Sequence, residues 1–328
     1  MGTYGGIDLG GTKIQAIVVN PANEVLGSAR HATPTSGGPK DVAAEMEAAM
    51  REAAQAAGIE VDSLTGVGAG SPGTVEERTV TSARNLPGWE GTFALADELE
   101  ASLGVPVEVG NDVQVALGAE AKLGAGTRFG SLLGVFWGTG VGGGVVLGGE
   151  QWRGRGGAGE IGHMVVELDG ARCTCGRRGC MEAYAGRAAM EAHVAKLVEK
   201  GQKTDLFKLM KKHERTRLTS GIWARALEHE DELAERMIER AVQAIAAAAA
   251  SSVNLLDVEA VIVGGGLGVR LGDPIAERID AAMRPHLFAD QRPPKVEIAA
   301  LGDLGGAIGA SLLVRGSASR AAGARAAG

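Results

Sequence analysis

One histidine and three cysteines stand at a spacing that suits a metal ion. The chain has three cysteines in 328 residues, and Cys173, Cys175 and Cys180 fall within one short segment. His163 precedes them, which completes the pattern H-x9-C-x-C-x4-C. Three thiolates and one imidazole make a closed tetrahedral zinc site, the structural rather than the catalytic type.

Three thiols buried in a hydrophobic corner are the alternative to a zinc site. The surrounding sequence RCTCGRRGC is polar and rich in glycine, which favours the metal. Its arginines can also offset the negative charge of three thiolates on Zn²⁺. Because a fully ligated zinc has no open position for a substrate, we expect it to fix Glu160 and Glu182, the acidic residues that flank the ligands.

The segment IDLGGTK places a carboxylate, two glycines, a threonine and a lysine after an apolar strand. Successive backbone N–H groups in such a turn can bind an anion, and Asp8 can position a hydrated Mg²⁺. A plain β-hairpin turn with an acidic flank is the alternative. Two further glycine turns, at 138–144 and 264–266, favour a nucleotide held between two lobes.

The sequence GTGVGG at 138–143 matches the G-x-G-x-x-G fingerprint of dinucleotide-binding proteins. That fingerprint requires a helix directly after the glycines, so that the pyrophosphate meets a helix N-terminus. The residues that follow, GGVVLGGE, are typical of a strand. We therefore exclude an NAD site, and the sequence contains no P-loop motif either.

The segment EVGNDVQ places Asn111 and Asp112 between a short strand and a helix. A phosphoryl-transfer site needs a base that takes the proton of the attacking hydroxyl, and Asp112 is a candidate. An aspartate at the start of a helix is also a common N-cap. These residues alone leave both interpretations open.

Strands and helices alternate along the chain, as in an α/β fold. Residues 4–20 read as a strand, a glycine turn and a second strand, and residues 40–57 carry helical periodicity. Near residue 130 a second strand–turn–strand begins, which repeats the first in outline. Residues 187–250 are mostly helical, and VEAVIVGGGLG is a buried strand that runs into a glycine turn.

Composition excludes several classes of protein. The chain is 45% hydrophobic and 22% charged, with a net charge of −7. An acidic chain without a basic stripe is poorly suited to nucleic acid. It contains no apolar run of the roughly 20 residues that cross a bilayer and no secretory signal pattern. We expect a cytoplasmic protein, since three clustered cysteines do not form a disulfide framework.

The motifs DLGGTK, NDV, GEIGH and CTCGRRGCMEAY occur in this order and resemble the ROK family of sugar kinases and sugar-responsive repressors. The resemblance covers residues 4 to about 315. It implies an α/β, two-lobed actin-like ATPase (ribonuclease H-like) fold with ATP and sugar in the interlobe cleft. We expect a smaller lobe over 1–112, completed by a C-terminal helix near 303–315. A larger lobe with the zinc site covers 113–302, and a flexible tail covers 316–328.

The resemblance also implies roles for individual residues, with Asp112 as the general base. The residues implied to contact the sugar are Gly70, Ser71, Pro72, Asn85, Asn111, Asp112, Glu160, His163 and Glu182. Those implied to contact ATP are Asp8, Gly10, Gly11, Thr12, Lys13, Thr139, Gly140, Gly264, Gly265 and Gly266. The zinc motif of the family matches His163, Cys173, Cys175 and Cys180.

The expected reaction is ATP-dependent phosphorylation of a hexose at the C6 hydroxyl, with glucose as the first candidate. N-acetylglucosamine, N-acetylmannosamine, mannose and fructose remain alternative substrates, and polyphosphate an alternative donor. The chain reads NDVQVA where many glucokinase-like members read NDVNAA, so the role of Gln114 is open. Because ROK proteins commonly dimerise, we expect a homodimer or a higher homo-oligomer.

Two other classes of protein compete with a kinase. ROK repressors resemble the kinases but carry an N-terminal helix-turn-helix module, and a phosphate loop that begins at Asp8 leaves no room for one. A sugar-sensing regulator without that module remains the alternative. A zinc-ribbon interaction module is disfavoured, because one Cys₃His site cannot explain the other glycine clusters.

Overall fold

The computed structural model describes residues 2–83 and 86–326, with the backbone alone for 316–326. The chain divides into two compact units. The first contains Met1–Leu123, Gly154–Gly157 and the chain from Leu301 onward. The second contains Gly124–Arg153 and Ala158–Ala300.

The first unit is built on a five-stranded sheet of order β3-β2-β1-β4-β8. A small three-stranded sheet, β5-β6-β7, is formed by the residues between β4 and β8. The strands of the unit are β1 (Tyr4–Leu9), β2 (Lys13–Val19), β3 (Val25–Ala32), β4 (Gly66–Ser71), β5 (Thr74–Glu76), β6 (Thr79–Thr81), β7 (Thr92–Phe93) and β8 (Val107–Asn111). Its first three helices are α1 (Pro39–Ala56), α2 (Leu95–Leu103) and α3 (Asp112–Leu123). Strands β3, β2 and β1 are antiparallel, whereas β1, β4 and β8 run parallel.

The predicted strand–glycine turn–strand is present as the antiparallel pair of β1 and β2. Successive side chains of a strand point to opposite faces. Ile14, Ala16 and Val18 accordingly belong to the core formed with α1 and α2, while Ile17 and Val19 pack in a separate cluster. Helix α2 ends at Gly104 as predicted, because Gly104 takes the left-handed conformation (φ 75°) that closes a helix.

The second unit repeats the strand order of the first, as β11-β10-β9-β12-β13. Its strands are β9 (Leu132–Trp137), β10 (Val141–Leu147), β11 (Glu150–Gln151), β12 (Ala260–Gly264) and β13 (Lys295–Ile298). Its helices are α4 (Glu182–Ala185), α5 (Arg187–Glu199), α6 (Leu206–Lys212), α7 (Ser220–Glu228), α8 (Glu232–Leu256), α9 (Gly265–Leu271) and α10 (Asp273–Met283). The three leading strands are antiparallel and the last two join in parallel, as in the first unit. The predicted α/β fold with two related halves is confirmed.

The core of the second unit lies between its sheet and the long helix α8. Asp231 caps α8, since its Oδ1 accepts hydrogen bonds from the N–H groups of Leu233 (3.0 Å) and Ala234 (2.9 Å). The Ala-rich stretch of α8 is buried. In the described part of the chain no helix, α8 included, combines the length and the apolar character that crossing a membrane requires.

The last helix, α11 (Gly305–Ala326), belongs to the first unit. It packs so closely on β1 and β4 that a Cβ at Gly6 or Gly68 would overlap its backbone carbonyl oxygens. It also packs on α3, where a Cβ at Gly309 would overlap the carbonyl oxygen of Val115. The unit boundary therefore lies after Leu123, and the predicted boundary after Asp112 was misplaced.

The C-terminal segment differs from the sequence-based expectation. A flexible tail was predicted over 316–328, but the helical backbone of α11 continues through Ala326. Alanine has the highest helix propensity of all residues, and this segment is rich in alanine. The flexible tail was predicted from the low hydrophobicity of the segment alone, and its helix propensity was not considered.

Candidate active site and metal site

Three parallel strands of the first unit end at one edge of its sheet. In the register of these strands Asp8 lies opposite Gly70, and Ser71 lies opposite Asn111. A Cβ added to Gly70 would lie 3.3 Å from the Cα of Asp112, so β4 ends directly beside α3. The fold thus brings these five predicted site residues together.

Asn111, rather than Asp112, occupies the N-cap position of α3. Its Oδ1 accepts a hydrogen bond from the N–H of Gln114 at 3.1 Å, and its Nδ2 donates to the carbonyl oxygen of Gly73 at 3.1 Å. Asp112 is the first residue of the helix, and its Oδ1 accepts from the N–H of Val113 at 2.9 Å. The sequence left open a capping role for Asp112, and the structure gives that role to Asn111.

The segment after β4 is shaped by buried groups. Ser71 is fully buried, and its hydroxyl donates to the carbonyl oxygen of Pro72 at 3.1 Å. The side chain of Asn111 holds the next residue, Gly73, through the bond given above. Gln114 is also buried. The predicted sugar contact Asn85 lies outside the described residues.

Asp8 is the last residue but one of β1 and lies beside the first turn of α11, where a Cβ on Gly306 would lie 2.6 Å from its Cγ. Burial raises the pKa of the Asp8 carboxyl to about 6; the charge of Lys13 lowers this pKa and that of Asp303 raises it. Because burial disfavours the charged form of this carboxylate, a bound cation that offsets its charge suits this position.

Lys13 already has an ion-pair partner, which the sequence did not predict. Its Nζ lies 3.7 Å from Oδ1 of Asp303, and the other oxygen of Asp303 accepts a hydrogen bond from Arg30 at 2.9 Å. Sequence reasoning missed Asp303, because it stands 290 residues after Lys13 in a segment read only as a packed helix. A phosphate that bound Lys13 would compete with this carboxylate.

Hydrogen bonds fix the turn between β1 and β2. The N–H of Gly10 donates to the carbonyl oxygen of Lys13 at 2.9 Å. Thr33 donates its hydroxyl to Gly10 O at 2.6 Å and its N–H to Thr12 O at 3.2 Å. Gly11 and Thr12 are exposed at the tip of the turn, so their N–H groups are accessible to an anion.

In the second unit the four predicted metal ligands meet. The donor atoms of His163, Cys173, Cys175 and Cys180 all lie within 4.8 Å of one another. Cys175 Sγ is 3.7 Å from Cys180 Sγ, and Cys173 Sγ is 3.8 Å from Nδ1 of His163. Tetrahedral zinc with Zn–S bonds of about 2.3 Å places two sulfur atoms about 3.8 Å apart. The residues therefore fit a Cys₃His zinc site.

The cysteine loop, residues 173–180, is held in place by its own backbone hydrogen bonds. The N–H of Cys173 donates to Arg177 O at 2.9 Å, and the N–H of Gly176 donates to Cys173 O at 3.0 Å. Cys180 pairs with Val165 in an isolated β-bridge. Burial raises the pKa of the Cys173 thiol to about 12, so a bound cation is needed to hold it as a thiolate.

Glu182, the first residue of α4, joins the cysteine loop to the turn between β9 and β10. One carboxylate oxygen, Oε2, accepts the N–H of Val141 at 3.0 Å. The other, Oε1, accepts the hydroxyl of Thr174 at 3.2 Å and lies 3.7 Å from Cys173 Sγ. A Cβ at Gly140 would overlap Oε2, so any larger residue there would displace the Glu182 carboxylate. Thr174 and Val141 are contacts that the sequence did not predict.

Glu160 differs from Glu182. It is exposed and stands just before the short 3₁₀ turn Ile161–His163 that presents His163. Within the described chain, no hydrogen bond or ion pair engages its carboxylate. This oxygen pair is therefore available to a ligand, and the one on Glu182 is already partly used.

Thr139 is held by the first turn of α5. Its hydroxyl accepts a hydrogen bond from Nη2 of Arg187 at 2.9 Å, and its carbonyl oxygen accepts the N–H of Ala188 at 3.0 Å. The same guanidinium donates Nη1 to Ser220 Oγ at 2.7 Å. Arg187 and Ser220 gave no signal in the sequence analysis, because they are distant in sequence from the glycine turn.

The third glycine turn is the start of a helix rather than a loop. Strand β12 ends at Gly264, and α9 begins at Gly265. Gly265 has φ +76°, and a Cβ there would lie 2.6 Å from the backbone nitrogen of Trp137. A Cβ on Gly264 would lie 2.6 Å from the ring of Phe136. Packing on β9 therefore explains these two glycines, and Gly266 is the more open position.

Comparison with known proteins identifies the family. The ROK family profile matches residues 4–317. This chain belongs to the ROK family. Glucokinase from Halalkalibacterium halodurans is 32% identical over 319 residues, which cover 95% of this chain and 94% of that protein. The predicted resemblance is thereby confirmed.

A solved structure resembles the ROK chain over nearly its whole length. It is a ROK family glucokinase from Streptomyces griseus in complex with glucose and AMPPNP, 30% identical, with a TM-score of 0.82. The alignment covers 96% of this chain and 100% of that one. N-acetyl-D-glucosamine kinase from Erwinia tasmaniensis is also 32% identical, over 94% of this chain and 98% of its own. Equal identity to kinases named for different sugars leaves the sugar undecided.

Proposed function

We propose that this ROK protein is an ATP-dependent hexose kinase that phosphorylates the C6 hydroxyl, with glucose as its first candidate substrate. The observation that carries the proposal is the position of Asp112. Its carboxylate stands on the first turn of α3, where the parallel strands end, and Asn111 beside it supplies the helix cap. The likeness to the glucokinase bound to glucose and AMPPNP supports the same reaction.

In this reaction Asp112 accepts the proton of the C6 hydroxyl while that oxygen attacks the γ-phosphorus of ATP. The bond between the γ-phosphorus and the bridging oxygen breaks, and ADP leaves. A base within roughly 2.6–3.2 Å of the hydroxyl accelerates the reaction, because it removes the proton as the new bond between oxygen and phosphorus forms. Asn111 has a second N–H on Nδ2 that can donate to a neighbouring sugar hydroxyl while it caps α3.

The proposal assigns three glycine-containing segments to ATP. The phosphates are contacted by Gly10, Gly11, Thr12 and Lys13 and by Thr139 and Gly140, and the adenosine is contacted by Gly264–Gly266. Asp8 would hold hydrated Mg²⁺, which when bound spreads the charge of the phosphates. Lys13 exchanges Asp303 for a phosphate oxygen when the nucleotide binds.

The hexose is bound by acceptors near the cysteine loop. Glu160 and Glu182 accept hydrogen bonds from sugar hydroxyls, and His163 uses its second ring nitrogen for the same purpose. The segment Gly70–Pro72 and Asn85 provide further contacts. Zinc in the Cys₃His site supplies rigidity and no reactive position.

N-acetylglucosamine is a second candidate substrate, because the Erwinia kinase is as similar to this chain as the glucokinase from Halalkalibacterium halodurans is.

We also propose that the enzyme acts in the cytoplasm as a homodimer or higher homo-oligomer. The acidic net charge of −7 fits a protein that binds no nucleic acid.

The deciding experiment is a coupled assay of ADP release with Mg-ATP and separate hexoses. The panel contains glucose, mannose, fructose, N-acetylglucosamine and N-acetylmannosamine. Turnover that is greatest with glucose supports the proposal, and turnover on an N-acetylated sugar alone keeps the mechanism but changes the substrate. If folded, zinc-loaded protein turns over none of these sugars, with either ATP or polyphosphate as the donor, the proposed kinase activity is contradicted.

A further inference from the structure

A single guanidinium bridges two turns of the second unit. Arg187 donates Nη2 to Thr139 Oγ1 (2.9 Å) in the turn between β9 and β10. It donates Nη1 to Ser220 Oγ (2.7 Å) at the start of α7. That hydroxyl in turn lies beside the third glycine turn, since a Cβ on Gly266 would be 3.5 Å from it.

The charge of Arg187 is not paired within the described residues. Both terminal nitrogens donate to neutral hydroxyls, and no carboxylate lies within ion-pair distance. Burial lowers the pKa of the Arg187 guanidinium; the charge of Glu191 opposes this effect and that of Arg217 adds to it. Arginine nevertheless remains protonated. A partly buried cation without a counter-charge has lost hydration and gained no ion pair.

The side chain has donors to spare. A guanidinium carries five N–H groups in a fixed fork, and the two hydrogen bonds to Thr139 and Ser220 use two of them. The backbone of the same residue is fixed, because its N–H donates to Gly138 O at 3.2 Å. The N–H of Ala188 secures the turn further by donating to Thr139 O at 3.0 Å. The free donors are thus held at a set distance from the turn.

We propose that Arg187 binds a phosphate group of the nucleotide. The inference rests on the proposed function, which assigns Thr139–Gly140 and Gly264–Gly266 to ATP. Guanidinium matches phosphate geometry and donates hydrogen bonds from a positively charged group, which the neutral backbone N–H groups of a turn cannot do. Arg187 thereby favours a phosphorylated nucleotide over the bare nucleoside, and it supplies the counter-charge that the second unit's glycine turns lack.

The test compares ADP and adenosine as probes by calorimetric titration. In Arg187→Gln the Kd of Mg-ADP rises about 10- to 100-fold, while the Kd of adenosine stays at the wild-type value. KM for ATP rises by a similar factor, and KM for the hexose is unchanged. Arg187→Lys keeps the charge but not the fork, so its Kd for Mg-ADP is intermediate. Arg236→Gln, which removes an exposed arginine bonded to Gln202 on the same unit, keeps wild-type values.

Three outcomes are decisive. If Arg187→Gln weakens ADP and adenosine equally, or leaves ADP binding intact, Arg187 only braces the turn and the inference is wrong. If Arg187→Gln does not fold, the same comparison is made with Arg187→Lys, where equal effects on both probes overturn it. If the wild type turns over no sugar but binds ADP in an Arg187-dependent way, the kinase proposal fails and the phosphate site stands.

Discussion

The carboxylate of Glu182 accepts a hydrogen bond from the backbone N–H of Val141 at 3.0 Å. This bond ties the first residue of α4 to the first residue of β10. The other oxygen of Glu182 is bonded to Thr174, which lies between two of the metal-ligating cysteines. The cysteine loop and the glycine turn proposed for phosphate binding are therefore connected through one side chain.

Amide hydrogen exchange tests this connection without any assay of function. The Val141 N–H is protected by Glu182, so Glu182→Ala should speed its exchange by about tenfold or more. Glu150→Ala, at the exposed strand β11 that pairs with the other end of β10, should leave the Val141 rate unchanged. An unaltered rate in Glu182→Ala would show that the hydrogen bond does not restrain the turn.

Metal content and stability should change together at the Cys₃His site. The purified chain should contain one zinc ion, and Cys175→Ser should lose it. The thermal midpoint should fall by roughly 5–10 °C, because structural zinc contributes directly to folding free energy. Elemental analysis and calorimetry measure both quantities.

Thr174→Ser is the matched control for that variant, since it changes a residue between two ligands but removes no ligand. It should keep full zinc content and a wild-type midpoint. A zinc-free wild type, or a Cys175→Ser variant that retains zinc, would contradict the assignment of the four ligands.

Asp112→Asn tests the catalytic base. The substitution removes the proton acceptor but keeps the size of the side chain, so kcat should fall about 10²- to 10⁴-fold with little change in KM. Asp62→Asn makes the same charge change at an exposed position of the first unit and should leave kcat unchanged. Wild-type turnover in Asp112→Asn, with the best hexose, would falsify the proposed role.

His31 should make stability depend on pH. Its Nδ1 lies 2.5 Å from Oε1 of Glu45, and its Nε2 lies 2.8 Å from Oε2 of Glu52, both on α1. The hydrogen bonds with Glu52 and Glu45 raise the pKa of His31 above its usual value. The stabilisation that protonated His31 contributes is therefore complete below the pKa of about 6.5 that this histidine has in the unfolded chain. It is lost as pH rises through the higher pKa of the folded protein.

Unfolding by urea at several pH values measures this effect. The free energy of unfolding of the wild type should decline from pH 6 to alkaline pH, and His31→Gln should show a smaller decline. His229→Gln replaces an exposed histidine for which the described chain contains no carboxylate partner, and this variant should reproduce the wild-type profile. Parallel profiles for the wild type and His31→Gln would mean that the two carboxylates do not hold the protonated ring.

Local patterns in the sequence determined a large part of this protein. The types and spacing of His163 and the three cysteines were sufficient to predict the ligand cluster, because three thiolates and an imidazole close together in sequence are the ligand set of a structural zinc site. Apolar segments on both sides of a glycine turn predicted the strand pair that opens each unit, and Gly104 predicted the end of α2. The order of four motifs predicted the family.

Only the tertiary structure decided which groups are already engaged. Asn111 rather than Asp112 caps α3, and the sequence places the two side by side in a segment where either fits. Asp303 meets Lys13, and Arg187 meets Thr139 and Ser220, across long separations in the chain. Such contacts depend on how helices and strands pack, and no periodicity or spacing encodes them. The same reason explains why α3, which packs against α11 from the far end of the chain, extends the first unit to Leu123.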